Sequence, residues 1–270
     1  MIEDAEIAEV VWVPEPAEDP RFDQVTEHIH ARRHSKGLDR DGAAELARKP
    51  LYFGSSLVAL GEAEGCVAGA ASATSEVIRA GLYCVGIGTR SPFVSSMFLM
   101  VRGGTTYSFA DCGVIPDPDV DQLVSIAATT AHNHQLLTGD APKVAFLSFS
   151  TKGSASHSRV DKMQAAAQRF REQHPATASD GELQFDAAII PEIAAAKAPG
   201  SPLRGAANVL IYPDLDSGNL AYKIAQRLGG FQAFGPLIQG LAAPCLDLSR
   251  GCDPADILNV AAIAVVFSDD

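Results

Sequence analysis

The sequence predicts an α/β protein with mostly parallel sheets, on three observations. Apolar runs of strand length recur along the chain, stretches of a dozen or more residues with helical patterning separate them, and each run closes on a cluster of Gly, Pro, Ser or Asp. Strands that alternate with helices of that length build βαβ units, and such units build parallel sheets covered on both faces. In order the runs are VVWV from Val10, CVAGA from Cys66, SMFLMV from Ser96, KVAFLSF from Lys143 and NVLIY from Asn208. The run TTYSFADC, from Thr105 to Cys112, alternates directly after Gly103-Gly104 and is read as the return strand of a hairpin, the one antiparallel excursion. A helix is expected from about Asp119 to Leu137, ended at Thr138-Gly139, with Asp140-Ala141-Pro142 before the next strand. We place a division between two units there, after residue 139. Near the C-terminus, Tyr222 to Arg227 reads as helix, Gly235-Pro236 as a turn, and Cys245 onward as a short apolar strand.

Composition bounds the function. The chain has 270 residues and is 47% hydrophobic, enough for a large buried core. Lys and Arg total 21 against 33 acidic residues, a formal charge of −12, which argues against nucleic acid or an anionic membrane as partner. An anionic ligand would need a local cluster of arginines. The N-terminus MIEDAEIAEV is acidic where a secretory signal is basic, and no apolar run approaches the roughly 20 residues that span a bilayer, so a cytoplasmic location is expected. Cys66, Cys84, Cys112, Cys245 and Cys252 are an odd set without CxxC spacing, which indicates neither a disulfide framework nor a thiolate metal site.

The most informative stretch is CLDLSRGCDPAD, from Cys245 to Asp256. Pro254 suits the first helical position, Asp253 then caps the helix, and Asp256 falls at its third position, where a carboxylate can bond back to the cap. Ser249 and Arg250 stand just before. A hydroxyl, a guanidinium and open backbone N–H groups thus meet at one helix N-terminus, an arrangement suited to a phosphate or a developing oxyanion. The same spacing fits a plain capping carboxylate beside a solvated turn.

Other clusters carry less. The run Ser150-Thr151-Lys152-Gly153-Ser154 sits at a strand-to-helix junction with the donors a phosphate loop uses, yet it lacks Walker spacing. There is no GxGxxG fingerprint either, which removes the support for a dehydrogenase. HIHARRHSKG places His30 and His34 four residues apart without an evident third ligand, and reads as a basic helix face. Asp180, Glu182 and Asp186 near a strand edge read as solvated or capping carboxylates.

Taken together, KVAFLSFSTKGSA, DGELQFDAAIIPEIAAAKAP, ANVLIYPDLDSGNLAYKIAQRLGG and GPLIQGLAAPCLDLSRGCDPADI, in this order, resemble the phosphate acetyltransferase family and its phosphate butyryltransferase relatives. The likeness extends upstream through PLYFGSSLVALGEAEGCVAGA, TSEVIRAGL, FLMVRGGTTYSFADCGV and HARRHSKG. It implies two α/β domains with the active site in the cleft between them, residues 1–139 completed by a C-terminal helix within 251–270 and residues 140–250, and a homodimer. The implied reaction is reversible transfer of an acetyl group between acetyl phosphate and coenzyme A, with inorganic phosphate released; butyryl or another short acyl group is the alternative. Coenzyme A is a substrate, and no metal or further cofactor is required. By position, the resemblance places the catalytic Ser, Arg and Asp on Ser249, Arg250 and Asp256, and coenzyme A arginines on Arg227, Arg79 and Arg33. It places Ser150, Thr151 and Lys152 beside the acyl phosphate, and leaves Cys252 to packing. Family members carry an additional βαβα stretch ahead of the counterpart of Val10 to Pro14. This chain starts without it, so a shortened first sheet and an inactive binding subunit are the expectations to weigh against an active enzyme.

Overall fold

The computed structural model describes residues 15–269; the strand expected at Val10 lies outside them. In chain order the helices and strands begin with α1 (Phe22–Arg33), α2 (Arg40–Ala47), α3 (Pro50–Ala59), β1 (Cys66–Ala68) and α4 (Thr74–Cys84). The hairpin β2 (Ser95–Arg102) and β3 (Thr105–Ala110) follows, then α5 (Val120–Thr138), β4 (Lys143–Leu147), α6 (Ser158–Gln173) and β5 (Ala178–Leu183). The chain continues with α7 (Phe185–Ile189), α8 (Pro191–Lys197), β6 (Val209–Ile211), α9 (Leu215–Arg227), β7 (Gln232–Gln239), β8 (Cys245–Asp247) and α10 (Pro254–Ser268).

The fold is α/β with mostly parallel pairing. One sheet has six strands in the order β5-β4-β6-β3-β2-β7, and a second has two, β1 and β8. The β5-β4, β4-β6, β6-β3 and β1-β8 pairs are parallel. Gly103 and Gly104, at φ +55° and +80°, supply the two left-handed positions of the tight turn that joins β2 to β3. β7 adds a second antiparallel pairing to the single one expected. Gly235-Pro236 lies inside β7 instead of forming a turn: Met97 stands opposite Leu237 and Leu99 opposite Phe234, so β7 carries one extra residue there. A bulge on an edge strand is where a sheet tolerates Pro, and Gly235 is required because a Cβ would sit 2.8 Å from the Phe98 ring.

Both faces of the large sheet are covered. Met97, Leu123, Ile126, Val144, Phe146 and Phe170 pack the α5 and α6 side. On the opposite face, Phe98, Phe109, Leu210 and Tyr212 form the core, and the Tyr222 ring of α9 stacks on Phe98 with centroids 3.8 Å apart. Such a pair contributes about 0.5–1.5 kcal/mol beyond its buried area. The ends of α5 follow the sequence expectation, with a capping box of Asp119 and Gln122 at one end and Gly139 at φ +75° at the other. The six-stranded sheet joins residues 95–110 to residues 143–239, so it spans the 139/140 position where the turn signals place a division. A smaller core of Val25, Ile29, Ala43, Phe53, Ala80 and Cys84 binds α1, α2 and α3 to α4. α10 lies against β1 and β8 and reaches β7 and α5.

Candidate active site

β1 and β8 run parallel with Cys66 opposite Cys245, Val67 opposite Leu246 and Ala68 opposite Asp247. Each then leaves the sheet through a short loop into a helix, α4 after β1 and α10 after β8. Two helix N-termini therefore stand at one sheet edge, where backbone N–H groups and the positive ends of helix dipoles favour anions. Ser249, Arg250 and Asp256 all belong to the β8 exit. Ser249 Oγ accepts from Gly251 N at 3.3 Å and Cys252 N donates to Ser249 O at 3.0 Å, so the turn is held by its own backbone. Ser249 and Arg250 are exposed, Asp256 is half-buried. The reciprocal cap predicted from the spacing is present: Asp256 N donates to Asp253 Oδ1 at 2.9 Å, and Asp253 N to Asp256 Oδ2 at 3.0 Å. Pro254 occupies the first turn.

Asp247 stands two residues before Ser249 and is fully buried. Burial pushes its carboxyl up to about 6, against the opposing pull of the Thr74 hydroxyl and the Leu248 N–H.

The arginines divide by partnership. Arg21, Arg40, Arg48, Arg159, Arg169 and Arg171 each pair with a carboxylate. Arg33, Arg79, Arg227 and Arg250 have no ion-pair partner among the described residues, and neither do Arg32, Arg102 and Arg204. In a chain of charge −12, cations left without acidic neighbours are those available to an anionic ligand. Arg79 is carried by α4, and the Arg33 guanidinium lies 3.7 Å above the ring of Tyr83, also on α4. Arg33 and Tyr83 line a recess of about 490 Å3 with Arg32, Lys36, Leu82 and Gly86. Gly86 there holds φ +87°, a backbone conformation that side-chain-bearing residues rarely adopt. Arg227 stands apart on the last turn of α9, which packs on the six-stranded sheet. Leu220 and Ile224 lie on the same side of α9 and are 60% and 57% exposed. A larger cavity, about 1120 Å3, opens at the other ends of β1 and β8 against residues 61–64 and 240–244. It touches none of the residues named for the site.

The loop of Ser150, Thr151 and Lys152 follows β4 and is closed on β5. Glu182 Oε1 accepts from Ser150 Oγ at 3.0 Å and from Gly153 N at 2.7 Å, while Lys152 Nζ pairs with Asp180. Thr151 Oγ1 donates to Gln184 Oε1 at 3.3 Å and accepts from Gln184 N at 2.9 Å. Asp180 and Glu182 are buried, where the sequence pattern suggested solvated or capping carboxylates, because this loop and Arg171 supply their donors. Asp186 pairs instead with Lys197. His28 bonds to Cys84 O at 2.7 Å and His34 to Ala31 O at 2.9 Å. Among the described residues no group of three His, Cys, Asp or Glu could hold a metal ion. No described helix is long and apolar enough to cross a membrane.

Comparison with known proteins supplies the class. Residues 3–265 match the family model described as "Phosphate acetyl/butaryl transferase", a family of acyltransferases. The chain belongs to this phosphate acetyl/butyryl transferase family. It is 43% identical to the phosphate acetyltransferase of Acetivibrio thermocellus over 264 residues, 96% of this chain and 80% of that protein. Among solved structures, the phosphotransacetylase of Streptococcus pyogenes superposes with a TM-score of 0.89 at 42% identity, covering 94% of this chain and 77% of the other. The EutD phosphotransacetylase of Staphylococcus aureus gives 0.87 at 38%, covering 98% and 83%. A branched-chain phosphotransacylase from Enterococcus faecalis, at 22% identity and a TM-score of 0.68, shares the fold.

Proposed function

We propose that this chain is a phosphate acetyltransferase, moving an acetyl group reversibly between acetyl phosphate and coenzyme A. The observation that carries the reading is the β8 exit, where Ser249, Arg250 and a half-buried Asp256 follow one strand at a helix N-terminus. The 42–43% identity to phosphate acetyltransferases supports acetyl as the group moved.

The coenzyme A thiol attacks the carbonyl carbon of acetyl phosphate; the sulfur–carbon bond forms, the bond from carbon to the phosphate oxygen breaks, and inorganic phosphate leaves. A thiol with pKa near 8.5 is only about 3% ionised at pH 7, so providing the thiolate is worth roughly 2 kcal/mol. Asp256 takes the thiol proton through the oxygen that the helix cap leaves free. Arg250 balances negative charge on the phosphate and on the carbonyl oxygen as the transition state develops, and the Ser249 hydroxyl donates to that carbonyl oxygen. The active site lies at the β8 exit, between α1 and α4, which carry Arg33 and Arg79, and the six-stranded sheet, on which α9 carries Arg227. The arginines hold the phosphates of coenzyme A, and the exposed Leu220 and Ile224 beside Arg227 suit its apolar arm. Ser150, Thr151 and Lys152 stand at the phosphate end as lesser candidates, their polar atoms being already engaged by Glu182, Gln184 and Asp180.

Two exposed arginines, Arg79 and Arg227, and a half-buried one, Arg33, on an acidic protein give a salt-sensitive ligand. The Michaelis constant for coenzyme A should rise several-fold between about 50 and 500 mM salt, because screening lengths fall below about 10 Å over that range. An unchanged constant would remove Arg33, Arg79 and Arg227 from the binding site. A homodimer is the assembly the family likeness favours, and sedimentation equilibrium should give twice the chain mass. Five free thiols support a reducing, cytoplasmic setting. The functional test is loss of free thiol when the purified chain meets coenzyme A with acetyl phosphate or with butyryl phosphate. Faster loss with acetyl phosphate is expected; faster loss with butyryl phosphate would reassign the substrate, and no loss from a protein that binds coenzyme A would make it an inactive binding subunit.

A further inference from the structure

The carboxylate of Asp247 has no part in the reading above, yet it sits where the two loops of the site part company. Asp247 ends β8, is 0% exposed, and lies opposite Ala68, the last residue of β1. The ladder continues one bond further, Leu248 N to Ala68 O at 2.7 Å, and then the chains diverge. One goes through residues 69–73 to α4 and Arg79, the other through Ser249 and Arg250 to α10 and Asp256. Across this divergence Thr74 Oγ1, on the first residue of α4, donates to Asp247 Oδ2 at 2.5 Å. The other oxygen, Oδ1, is buried without a hydrogen-bond partner. It presses on the backbone of Gly69, where φ is +109° and a Cβ would fall 2.1 Å from Oδ1 and 2.6 Å from Leu248 N.

A buried carboxylate hydrogen-bonded only by Thr74, with the Leu248 N–H beside it already bonded to Ala68 O, is an expensive way to fill a core, since the desolvation of the oxygen without a hydrogen bond is not recovered. An apolar side chain would fill the space more cheaply but could not hold Thr74. Without a side-chain cap at its own N-terminus, α4 begins at Thr74 with Ala73 as the flanking residue, so the Asp247 bond is what fastens the first turn of α4 to the strand that carries Ser249.

We propose that Asp247 is a positioning residue for acyl transfer: by holding Thr74 it fixes the Arg79 helix against the Ser249–Arg250 loop, so that coenzyme A and acyl phosphate meet in register. The inference rests on the functional reading above. It acts through Thr74 and touches neither substrate.

The experiment compares Asp247→Ala, Asp247→Asn, Thr74→Val and Thr74→Ser. The Asn side chain still presents an oxygen to Thr74, and Ser still presents a hydroxyl to Asp247. Removing the tie from either side should lower kcat by about tenfold to a hundredfold, the scale of a misplaced reacting group, while the dissociation constant for coenzyme A alone changes less than about threefold. Asp247→Asn and Thr74→Ser should retain kcat within about threefold, and the double variant Asp247→Ala/Thr74→Val should be no worse than either single, because both remove the same bond. Amide hydrogen exchange supplies a readout independent of turnover: loops 69–73 and 248–253 should exchange faster together in Thr74→Val and return to the original rate in Thr74→Ser. If Asp247→Ala does not fold, Thr74→Val carries the test. Unchanged exchange in Thr74→Val overturns the tie even if the chain proves to turn over no acyl phosphate. Loss in Asp247→Asn equal to that in Asp247→Ala also overturns it, since charge and not the bond would then be what matters.

Discussion

Arg250→Ala should lower kcat for acetyl transfer by about 10²–10³, or about 2.7–4 kcal/mol of transition-state stabilisation, the loss typical of one donor aimed at a developing oxyanion. Arg250 is exposed on the turn after β8 and has no ion-pair partner among the described residues, so its removal leaves no buried acid uncompensated. Stability should therefore change by less than about 0.5 kcal/mol, as for surface substitutions away from special contacts. A loss of rate in a protein of normal stability then belongs to the chemistry. The form of the loss is equally diagnostic. An interaction made only as charge develops lowers kcat and kcat/KM together, whereas one made equally to bound acetyl phosphate raises KM and leaves kcat alone. Steady-state kinetics at saturating coenzyme A separates the two. A variant with wild-type kcat and a raised KM for acetyl phosphate would reduce Arg250 to a binding residue. Arg250→Lys should recover only part of the rate, because an ammonium restores the charge without the two-pronged geometry of the guanidinium.

What the sequence reveals and what it hides follows from how local each feature is. The start of α10 is legible because Asp253, Pro254 and Asp256 interact within one turn, and the β2–β3 hairpin because two adjacent glycines dictate the turn. β5 is not legible. Its sequence ASDGEL has no apolar pattern, and Asp180 and Glu182 are buried only because Lys152, Arg171 and the 150–154 loop come to them from distant positions. For the same reason the donors of Ser150 and Gly153 look like a phosphate cradle in one dimension and prove to hold a carboxylate some thirty residues on. The division at residue 139 rests on a real helix end, but strand pairing is decided by long-range partners, and β3 finds β6 across that point. Asp247 was hidden by its neighbours: within CLDL it reads as part of an apolar strand. The available signal was a charged residue in that run, which can be accommodated only if the fold supplies a donor.

Asp256 is where the capping and catalytic readings can be parted by experiment. Its Oδ2 is already engaged with Asp253 N, and a residue so placed could be fully accounted for by the helix it starts. Asn is the decisive substitution, because its side-chain oxygen can accept the same N–H while its amide cannot take a proton. Asp256→Asn should keep thermal stability close to the original and lower kcat by about 10²–10⁴, the usual contribution of a positioned base. Asp256→Ala should lose comparable activity and about 0.5–1.5 kcal/mol of stability besides, since it removes the hydrogen bond from Asp253 N that forms one half of the capping box. Without a base, the reaction must wait for solvent to ionise the thiol. The residual rate of Asp256→Asn should therefore climb about tenfold per pH unit and level off near the thiol pKa of about 8.5, while the unmodified protein shows a much shallower rise. Thiol-loss assays across pH, paired with thermal melts, read both quantities on the same preparations. Full activity in Asp256→Asn with reduced stability in Asp256→Ala would leave Asp256 a cap and nothing more, and the thiol proton would need another acceptor.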